Sequence, residues 1–286
     1  MTLQDRRSFI VTLGGSVLAL AGCAPSVAAL PAAVPARRRL QRIGIQLYTV
    51  RTQARADLPG TLGQLARIGY KEIEFWGAFQ QQPPEIRQIL DGNGLTSPSV
   101  HIGLPANPDG FAKIFSDARI MGHEWITVAS PPFPLKTLDD WKRLASRFNE
   151  AGDRAKAAGF RFAFHNHTEG FKKIGDVVPF EQLLAETDPA LVSFELDVHW
   201  AYAGGADAID LVHRFPNRFT MLHVKDSSGA PDYMQADVGA GTYPWAKVFA
   251  ETEKAGVQHY FAEHDGPTNP MTFAKASFDY LAQLEF

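Results

Sequence analysis

Seven polar side chains follow short apolar runs that are spread along the whole chain. The densest group is FAFHNHTEGF, in which His165 and His167 are one residue apart and Glu169 comes two residues later. Imidazole and carboxylate groups are costly to bury without partners, so their repetition at the ends of apolar runs predicts a shared site. The seven residues are Gln46, Glu74, His101, His165, Asp197, His223 and Glu263.

Three of these side chains suggest a bound cation. Asp197, His223 and Glu263 follow the sixth, seventh and eighth apolar runs. Two carboxylates and an imidazole around one point suit a divalent ion such as Mn²⁺, Co²⁺, Mg²⁺ or Zn²⁺. Without the ion the two acids would repel each other, and one would keep its proton. A fourth ligand is expected from the fifth run. His165 and His167 would share a face if that strand stays regular, and the residues alone do not choose between them.

From Arg42 onward the apolar runs alternate with segments of helical period. Helices are predicted at residues 58–68, 84–93, 111–121, 138–158, 180–186, 208–214, 245–255 and 273–284. Strands are predicted in the runs RIGIQLYTV, KEIEFW, SPSVHIGL, HEWITVAS, RFAFHNH, LVSFELDVHW, RFTMLHVKD and HYFAEHD.

Eight such units predict an α/β fold, a single-domain (β/α)8 TIM barrel over residues 43–286. The alternative is an open doubly wound sheet, but no glycine-rich phosphate loop follows the first run. The carboxyl ends of barrel strands ring one mouth, and neighbouring strands lie about 4.8 Å apart. The last three polar ends can therefore meet at one point.

The charge of the chain argues against a nucleic-acid partner. Its 286 residues carry 28 Lys and Arg against 31 Asp and Glu, a net charge of -3. Six of the arginines precede residue 43, so the predicted barrel is more acidic than the total. Proteins that bind DNA or RNA usually show a basic excess, which is missing here.

The first 23 residues have the pattern of an export signal. Arg6-Arg7-Ser8-Phe9 resembles the twin-arginine motif, and the apolar run that follows it to Ala21 is shorter than the roughly 20 residues that span a bilayer. This pattern predicts export to the periplasm by the twin-arginine route. The alternative is an N-terminal membrane anchor that stays uncleaved.

Cys23 is the only cysteine, so an intrachain disulfide is excluded. Leu20-Ala21-Gly22-Cys23 resembles a bacterial lipobox, which predicts a lipid anchor at Cys23. The alternative is a cysteine in a leader that is cut later, near SVAAL. Residues 24–42 are rich in Ala, Pro and Arg and are predicted to be a flexible tether.

The motifs on several runs resemble those of the xylose isomerase-like TIM barrels. They are IGIQLYTVR, FHNHTEGF, LDVHW, LHVKD and FAEHD, one for each of five strands, and the resemblance covers residues 42–286. This group, which includes sugar phosphate isomerases and epimerases, also contains tagatose-type epimerases, hydroxypyruvate isomerases and dehydroshikimate dehydratases. The resemblance implies one divalent ion held by Glu, Asp, His and Glu from strands five to eight.

Three of those four positions match, at Asp197, His223 and Glu263. At the fifth strand His165 stands before Asn166-His167, where many relatives have Glu, so the resemblance makes His165 the fourth ligand. A neutral imidazole in place of a glutamate lowers the negative charge of the four ligands by one. This change favours Mn²⁺, Co²⁺ or Zn²⁺ over Mg²⁺. The alternative is that His165 donates to a backbone carbonyl and no metal binds.

The chemistry that fits this set is proton abstraction next to a carbonyl, with the ion stabilising an enediolate. Glu263 is the first candidate for the base, and His167 is the second or has a structural role. Lys225 lies two residues after His223 and would share its face, where it binds a substrate oxygen. The alternative for Lys225 is an ion pair with Glu263 or Asp226.

A small carbohydrate is the expected substrate, with Gln46, Glu74, His101, Trp200 and Lys225 as its candidate contacts. We expect an exported metal-dependent isomerase or epimerase of a free sugar or keto-sugar, since sugar phosphates are mainly cytoplasmic. One alternative is a lyase or dehydratase that acts on 3-keto-glycosides. Another is a carbohydrate-binding barrel that lost its catalytic base at the fifth strand.

Overall fold

In the computed structural model, which describes residues 37–286, eight parallel strands close into a barrel. Each strand pairs with the next, and the last pairs with the first through Gly44 opposite Phe261 and Ile45 opposite Ala262. The TIM-barrel prediction is therefore confirmed. The barrel strands are β1 (Gly44–Gln46), β2 (Glu72–Trp76), β3 (Ser99–Gly103), β4 (Trp125–Ser130), β5 (Arg161–His165), β6 (Val192–Asp197), β7 (Phe219–Val224) and β10 (His259–Ala262). Two short strands, β8 (Asp226–Ser227) and β9 (Gln235–Ala236), form an antiparallel hairpin after β7.

The helices surround this ring, and the predicted ones lie within three residues of their expected bounds. They are α1 (Arg51–Ala56), α2 (Leu58–Ile68), α3 (Pro83–Gly92), α4 (Gly110–Met121), α5 (Leu138–Ala157), α6 (Pro179–Glu186), α7 (Val198–Ala203), α8 (Ala208–Arg214), α9 (Trp245–Lys254) and α10 (Pro270–Gln283). Short 3-10 helices span Leu47–Val50 and Thr168–Phe171. Helices α1 and α7 and the β8–β9 hairpin were not predicted.

Several predicted strands are too long, and a side-chain hydrogen bond ends the first of them early. The Gln46 Oε1 atom accepts from the Tyr48 backbone N–H at 3.0 Å and starts the first 3-10 helix. Strand β5 ends at His165, and His167 instead precedes the second 3-10 helix. The condition under which both histidines would share one face, a regular strand through His167, is therefore not met.

The export signal and the lipobox at Cys23 lie outside the described residues, as do residues 24–36 of the predicted tether. The tether ends earlier than expected, because residues 37–42 bind to the barrel. Backbone hydrogen bonds of 2.9 Å join Arg38 and Phe286 in both directions, and Arg42 Nε lies 2.9 Å from Glu72 Oε1. No helix within residues 37–286 is both long enough and apolar enough to cross a membrane.

The strands bury apolar side chains on both faces. Outward residues such as Phe162 and Phe164 belong to the main core against the helices. Alternate residues form a separate cluster of Trp125, Ala163, Met221 and Phe261, which alternation assigns to the barrel interior. Towards the carboxyl ends, the next inward positions are polar, and they form the site described below.

Glycine substitutions in two helices should separate close packing from helix propensity. A Cβ on Gly152, inside α5, would lie 2.5 Å from the Leu191 carbonyl oxygen, whereas a Cβ on Gly92, at the end of α3, would contact nothing within 4 Å. Gly152→Ala should lower the free energy of unfolding by about 1–3 kcal/mol because of overpacking. Gly92→Ala should leave it unchanged or raise it by up to about 1 kcal/mol. Urea unfolding measures both, and equal effects would contradict this view of α5.

Candidate active site

The polar residues inside the barrel form two layers. The lower one, called the histidine layer, contains Glu74, His101, His165, Glu195 and His223, and all but His101 are fully buried. The upper one, called the rim layer, contains Asp197, Lys225 and Glu263 and is also buried. Strand alternation produces this arrangement, because residues two apart on one strand share a face and lie one layer apart.

Glu195 is the centre of the histidine layer. Its Oε2 atom lies 2.7 Å from His101 Nε2, 3.0 Å from His165 Nδ1 and 3.1 Å from His223 Nε2. Burial alone would raise the pKa of Glu195, but the charges of His223 and His101 hold that pKa well below its usual range. One carboxylate thus orients three imidazoles.

His223 bridges the two layers. Its Nδ1 atom lies 2.7 Å from Glu263 Oε2, and its Nε2 atom lies 2.7 Å from Glu74 Oε2. Burial opposes the charged imidazolium, yet Glu195, Glu263 and Glu74 together raise the pKa of His223 well above its usual value. With a carboxylate facing each nitrogen, the surroundings of His223 favour the imidazolium form, which can donate from both nitrogens.

Burial has the opposite result for His165. Burial, followed by the charge of His223, lowers the pKa of His165 well below its usual value despite the hydrogen bond with Glu195. The neutral ring has a lone pair on one nitrogen, and its Nε2 atom lies 3.9 Å from Asp197 Oδ2. His165 is therefore suited to metal ligation.

Asp197 begins helix α7 and also faces the barrel interior. Its Oδ1 atom accepts from the Trp200 backbone N–H at 2.8 Å, while Oδ2 lies 3.0 Å from the Lys225 ammonium without hydrogen-bond geometry. Burial, with repulsion from Glu263, raises the pKa of Asp197 to about 6 even though Lys225 opposes the shift. Asp197 Oδ2 thus has an ion-pair partner in Lys225 but no hydrogen-bond donor within residues 37–286, so this oxygen is open to a metal ion.

Asn166 fixes the position of Asp197. The Asn166 side chain donates to the Asp197 carbonyl at 3.1 Å and accepts from the Asp197 N–H at 2.9 Å. These paired bonds join the ends of β5 and β6 and prevent β5 from continuing. Asn166 thus fixes the end of this strand.

Lys225 is buried among acids. Its ammonium lies 2.8 Å from Glu263 Oε2, 3.0 Å from Asp197 Oδ2 and 3.0 Å from Asp265 Oδ2. Burial would lower the pKa of Lys225, but these carboxylates outweigh burial and raise it. The ion pair with Glu263 is therefore present.

The alternative ion pair of Lys225, with Asp226, does not form. Asp226 accepts instead from the Ser227 and Gly239 N–H groups and from Trp245 Nε1, each at 2.8 Å. A Cβ on Gly241 would lie 2.1 Å from Asp226 Oδ1, so only glycine allows this loop to approach so closely. Asp226 thus holds the loop that follows Lys225.

Two overlapping groups among the described residues could hold a metal ion. One is the predicted set of His165, Asp197, His223 and Glu263, and the other is His101, His165, Glu195 and His223. Within each group, one potential ligand atom from every residue lies within 4.8 Å of the others. The predicted set supplies two carboxylates and two imidazoles, which fit a divalent ion. One oxygen of the set, Asp197 Oδ2, has no hydrogen-bond donor among the described residues. His167 belongs to neither group.

Above the layers a cavity of about 510 Å³ opens. Several predicted site residues line it, namely His101, His165, His167, Trp200, Lys225 and Glu263. The Trp200 ring centroid lies 5.0 Å from Lys225 Nζ and 5.9 Å from that of His167.

Gln46 and Glu74 do not line this cavity. Both are completely buried, and Gln46 Nε2 donates to Glu74 Oε2 at 2.8 Å. The prediction that they contact substrate is therefore wrong in this structure. Instead, Glu74 contacts His223 on the side away from the cavity, and Gln46 holds Glu74 in place.

Two residues of the site were missed from the sequence. Glu195 stands two positions before Asp197, and strand alternation would have placed it on the same inward face. Asp265 stands two positions after Glu263, but it lies beyond the end of β10, where alternation no longer applies. No local signal identified Asp265.

Metal binding should release protons in numbers that depend on pH. His223 must lose a proton to become a ligand, and so must Asp197 below its pKa of about 6. We expect about one proton released per ion at neutral pH and about two near pH 5, with affinity rising as pH rises. Calorimetric Mn²⁺ titrations in buffers of different ionisation enthalpy measure this number. The same proton release at both pH values would contradict the assignment.

Comparison with known proteins agrees with this fold. An inosose dehydratase from Lacticaseibacillus casei is 25% identical to this chain, over 77% of this chain and 87% of its own length. An inosose dehydratase from Geobacillus kaustophilus is also 25% identical, over 80% of this chain and 90% of its own length. A solved sugar phosphate isomerase/epimerase from Parabacteroides distasonis is 25% identical with a TM-score of 0.72, over 91% of this chain and 98% of its own. The profile of the xylose isomerase-like TIM barrel family matches residues 62–284. The chain therefore belongs to the xylose isomerase-like TIM barrel family.

Proposed function

We propose that this protein is a metal-dependent enzyme that removes a proton next to the carbonyl of a keto-sugar or keto-polyol and then eliminates the β-substituent. The observation that carries this proposal is the pairing of Glu263 and Lys225 at the cavity wall, 2.8 Å apart. A carboxylate beside an ammonium provides a base and an acid in one place.

Glu263 is the base in this proposal. Lys225 and His223 outweigh burial and hold the pKa of Glu263 well below its usual range, so its carboxylate is ionised at neutral pH. It takes the proton from the carbon next to the carbonyl, and the electron pair of that C–H bond forms the C=C bond of an enediolate. As the carbonyl re-forms, the β C–O bond breaks, and its electron pair leaves on the oxygen.

Lys225 gives a proton to the departing oxygen and is reprotonated from solvent. The products are an unsaturated ketone and water or an alcohol, so atoms and charge balance. A divalent ion held by His165, Asp197, His223 and Glu263 would polarise the carbonyl and stabilise the negative charge on its oxygen. Trp200 lines the cavity and would contact the sugar ring through its apolar surface.

The ligand from β5 favours elimination over epimerisation. In the epimerases that the sequence resembles, two glutamates move the proton, and His165 replaces one of them here. His165 is hydrogen-bonded to Glu195 at 3.0 Å and belongs to the proposed metal set, so in this proposal it does not replace the lost carboxylate as a base. The relatives named inosose dehydratase, which catalyse loss of water from a keto-inositol as that name states, support the same outcome.

Isomerisation or epimerisation is the second candidate. His167 lines the cavity on the β5 side, and burial, with the charge of Lys225, lowers its pKa, so its neutral ring can accept or return a proton. The 25% identity to a sugar phosphate isomerase/epimerase supports this candidate. Elimination and isomerisation share the enediolate and differ only in the fate of the β-substituent.

Glu263→Gln should lower turnover about 10²- to 10⁴-fold, since it removes the base and also one carboxylate of the proposed metal set while the shape of the side chain is kept. The assay incubates the Mn²⁺-loaded protein with inosose and 3-keto-glucosides in D₂O and follows unsaturated product and deuterium at carbon by NMR. Glu124→Gln, an exposed carboxylate just before β4, is the matched control and should be unchanged. Deuterium without unsaturated product would favour isomerisation. If the Mn²⁺-loaded wild-type protein gives neither unsaturated product nor deuterium at carbon, both enzyme candidates fail and only a sugar-binding barrel remains.

We also propose that the chain is exported to the periplasm by the twin-arginine route and anchored through Cys23. Replacing Arg6 and Arg7 together by Lys should keep the protein in the cytoplasm, because the charge is retained but the motif is lost. Cys23→Ala should abolish membrane attachment while export continues. Fractionation of an expressing Gram-negative host measures both, with Arg55→Lys as the control. Recovery of the variant with Arg6 and Arg7 both replaced by Lys from the periplasm would contradict export by the twin-arginine route.

A further inference from the structure

A second cavity of about 360 Å³ adjoins the candidate active site. The two cavities share Ala129, Ser130 and His167 as lining residues, so they lie side by side. The remaining walls of the second cavity are mainly apolar and aromatic. They include Phe133, Leu135, Trp141, Phe164 and Phe180.

The outer wall of this cavity is held in place before any ligand binds. It is the loop between β4 and α5, in which Pro131, Pro132 and Pro134 restrict the backbone. The Arg143 guanidinium lies 3.9 Å from the centroid of the Phe133 ring and supports it. The Thr137 hydroxyl accepts from the Asp140 N–H at 3.2 Å and so fixes the end of the loop at α5.

The inner wall is equally constrained. Phe180 packs against Phe171 with ring centroids 4.8 Å apart and against Phe194 at 5.4 Å. A Cβ on Gly170 would lie 3.2 Å from Phe180 and 3.3 Å from Trp141, so this glycine packs closely against both rings. A rigid apolar cavity of this kind binds a flat apolar group with little ordering cost.

The charges around the second cavity argue against an anionic group. No Lys or Arg is among the described residues that line it, and Glu169 is its acidic member. A phosphate would therefore find no cation there and would be repelled by Glu169. A neutral aromatic or alicyclic ring would bury its apolar surface against the phenylalanines.

We infer that the second cavity binds an apolar ring carried by the substrate, while the sugar part occupies the first cavity. This inference rests on the proposed function and narrows its substrate class to glycosides of keto-sugars with an aromatic or similar apolar aglycone. In such a substrate the carbonyl is at C3, the base removes the C2 proton, and the bond that breaks joins C1 to the aglycone oxygen. The departing oxygen takes up a proton, so an apolar alcohol is released with an unsaturated ketone.

Binding of phenyl and methyl β-D-glucoside to the Mn²⁺-loaded protein tests this inference. These glucosides lack the keto group and do not react, so calorimetry reports affinity alone. We expect the phenyl glucoside to bind at least about tenfold more tightly than the methyl glucoside, because the second cavity removes the apolar surface of the phenyl ring from water. Leu135→Glu and Phe133→Ala should each remove most of this difference and leave the methyl glucoside unaffected.

Lys136→Ala is the matched control, since this exposed residue lies on the same loop outside the cavity, and it should keep the full preference. Equal binding of the two glucosides by wild type, or no binding of the phenyl glucoside, would overturn the inference. So would an unchanged preference in both cavity variants. If the phenyl preference is found but keto-substrates give neither deuterium nor product, the proposed function fails and the apolar subsite stands. If turnover is found without the preference, only the subsite fails.

Discussion

The structure depends on the balance of charge inside a closed barrel. Five carboxylates reach its buried upper interior or rim, at Glu74, Glu195, Asp197, Glu263 and Asp265, and they contact the imidazoles and the Lys225 ammonium there. Unpaired charges at such depth cost several kcal/mol each, so each layer needs cations. His223 and Lys225 supply them in this structure, and a divalent ion in the rim would replace the His223 proton and compete with Lys225. The site is thus organised for a cation.

The barrel provides this balance through the register of its strands. Asp197 lies opposite His223, and His165 lies opposite Glu195, so donors and acceptors alternate around the ring. Asn166 then fixes the β5 and β6 ends with two hydrogen bonds. Below the site, the small cluster around Met221 and Phe261 fills the interior with apolar side chains. Water is kept from the lower layer, which strengthens every contact made there.

The barrel and most of the candidate metal set could be predicted from the sequence, because the apolar runs and the polar residues that follow them are local signals. Asp197, His223 and Glu263 were placed correctly, since each ends a run and neighbouring parallel strands bring their ends together. His165 and His167 could not be separated, because the hydrogen bonds of Asn166 that end β5 join it to a residue 31 positions away. Glu74 and Gln46 looked like cavity residues, but their depth follows from strand stagger, which no local pattern encodes. Glu195 was hidden inside an apolar run, although its spacing from Asp197 pointed inward.

These interactions connect the fold to chemistry on a keto-sugar, since the same carboxylate that would bind the ion, Glu263, faces the cavity beside Lys225. The central claim is that one divalent ion binds among His165, Asp197, His223 and Glu263. Pulsed EPR of the Mn²⁺-loaded protein with ¹⁵N-labelled histidine counts the imidazoles bound directly to the ion. The account predicts two, from His165 and His223. Three bound imidazoles would place the ion in the histidine layer with His101 and Glu195, and that result would contradict it.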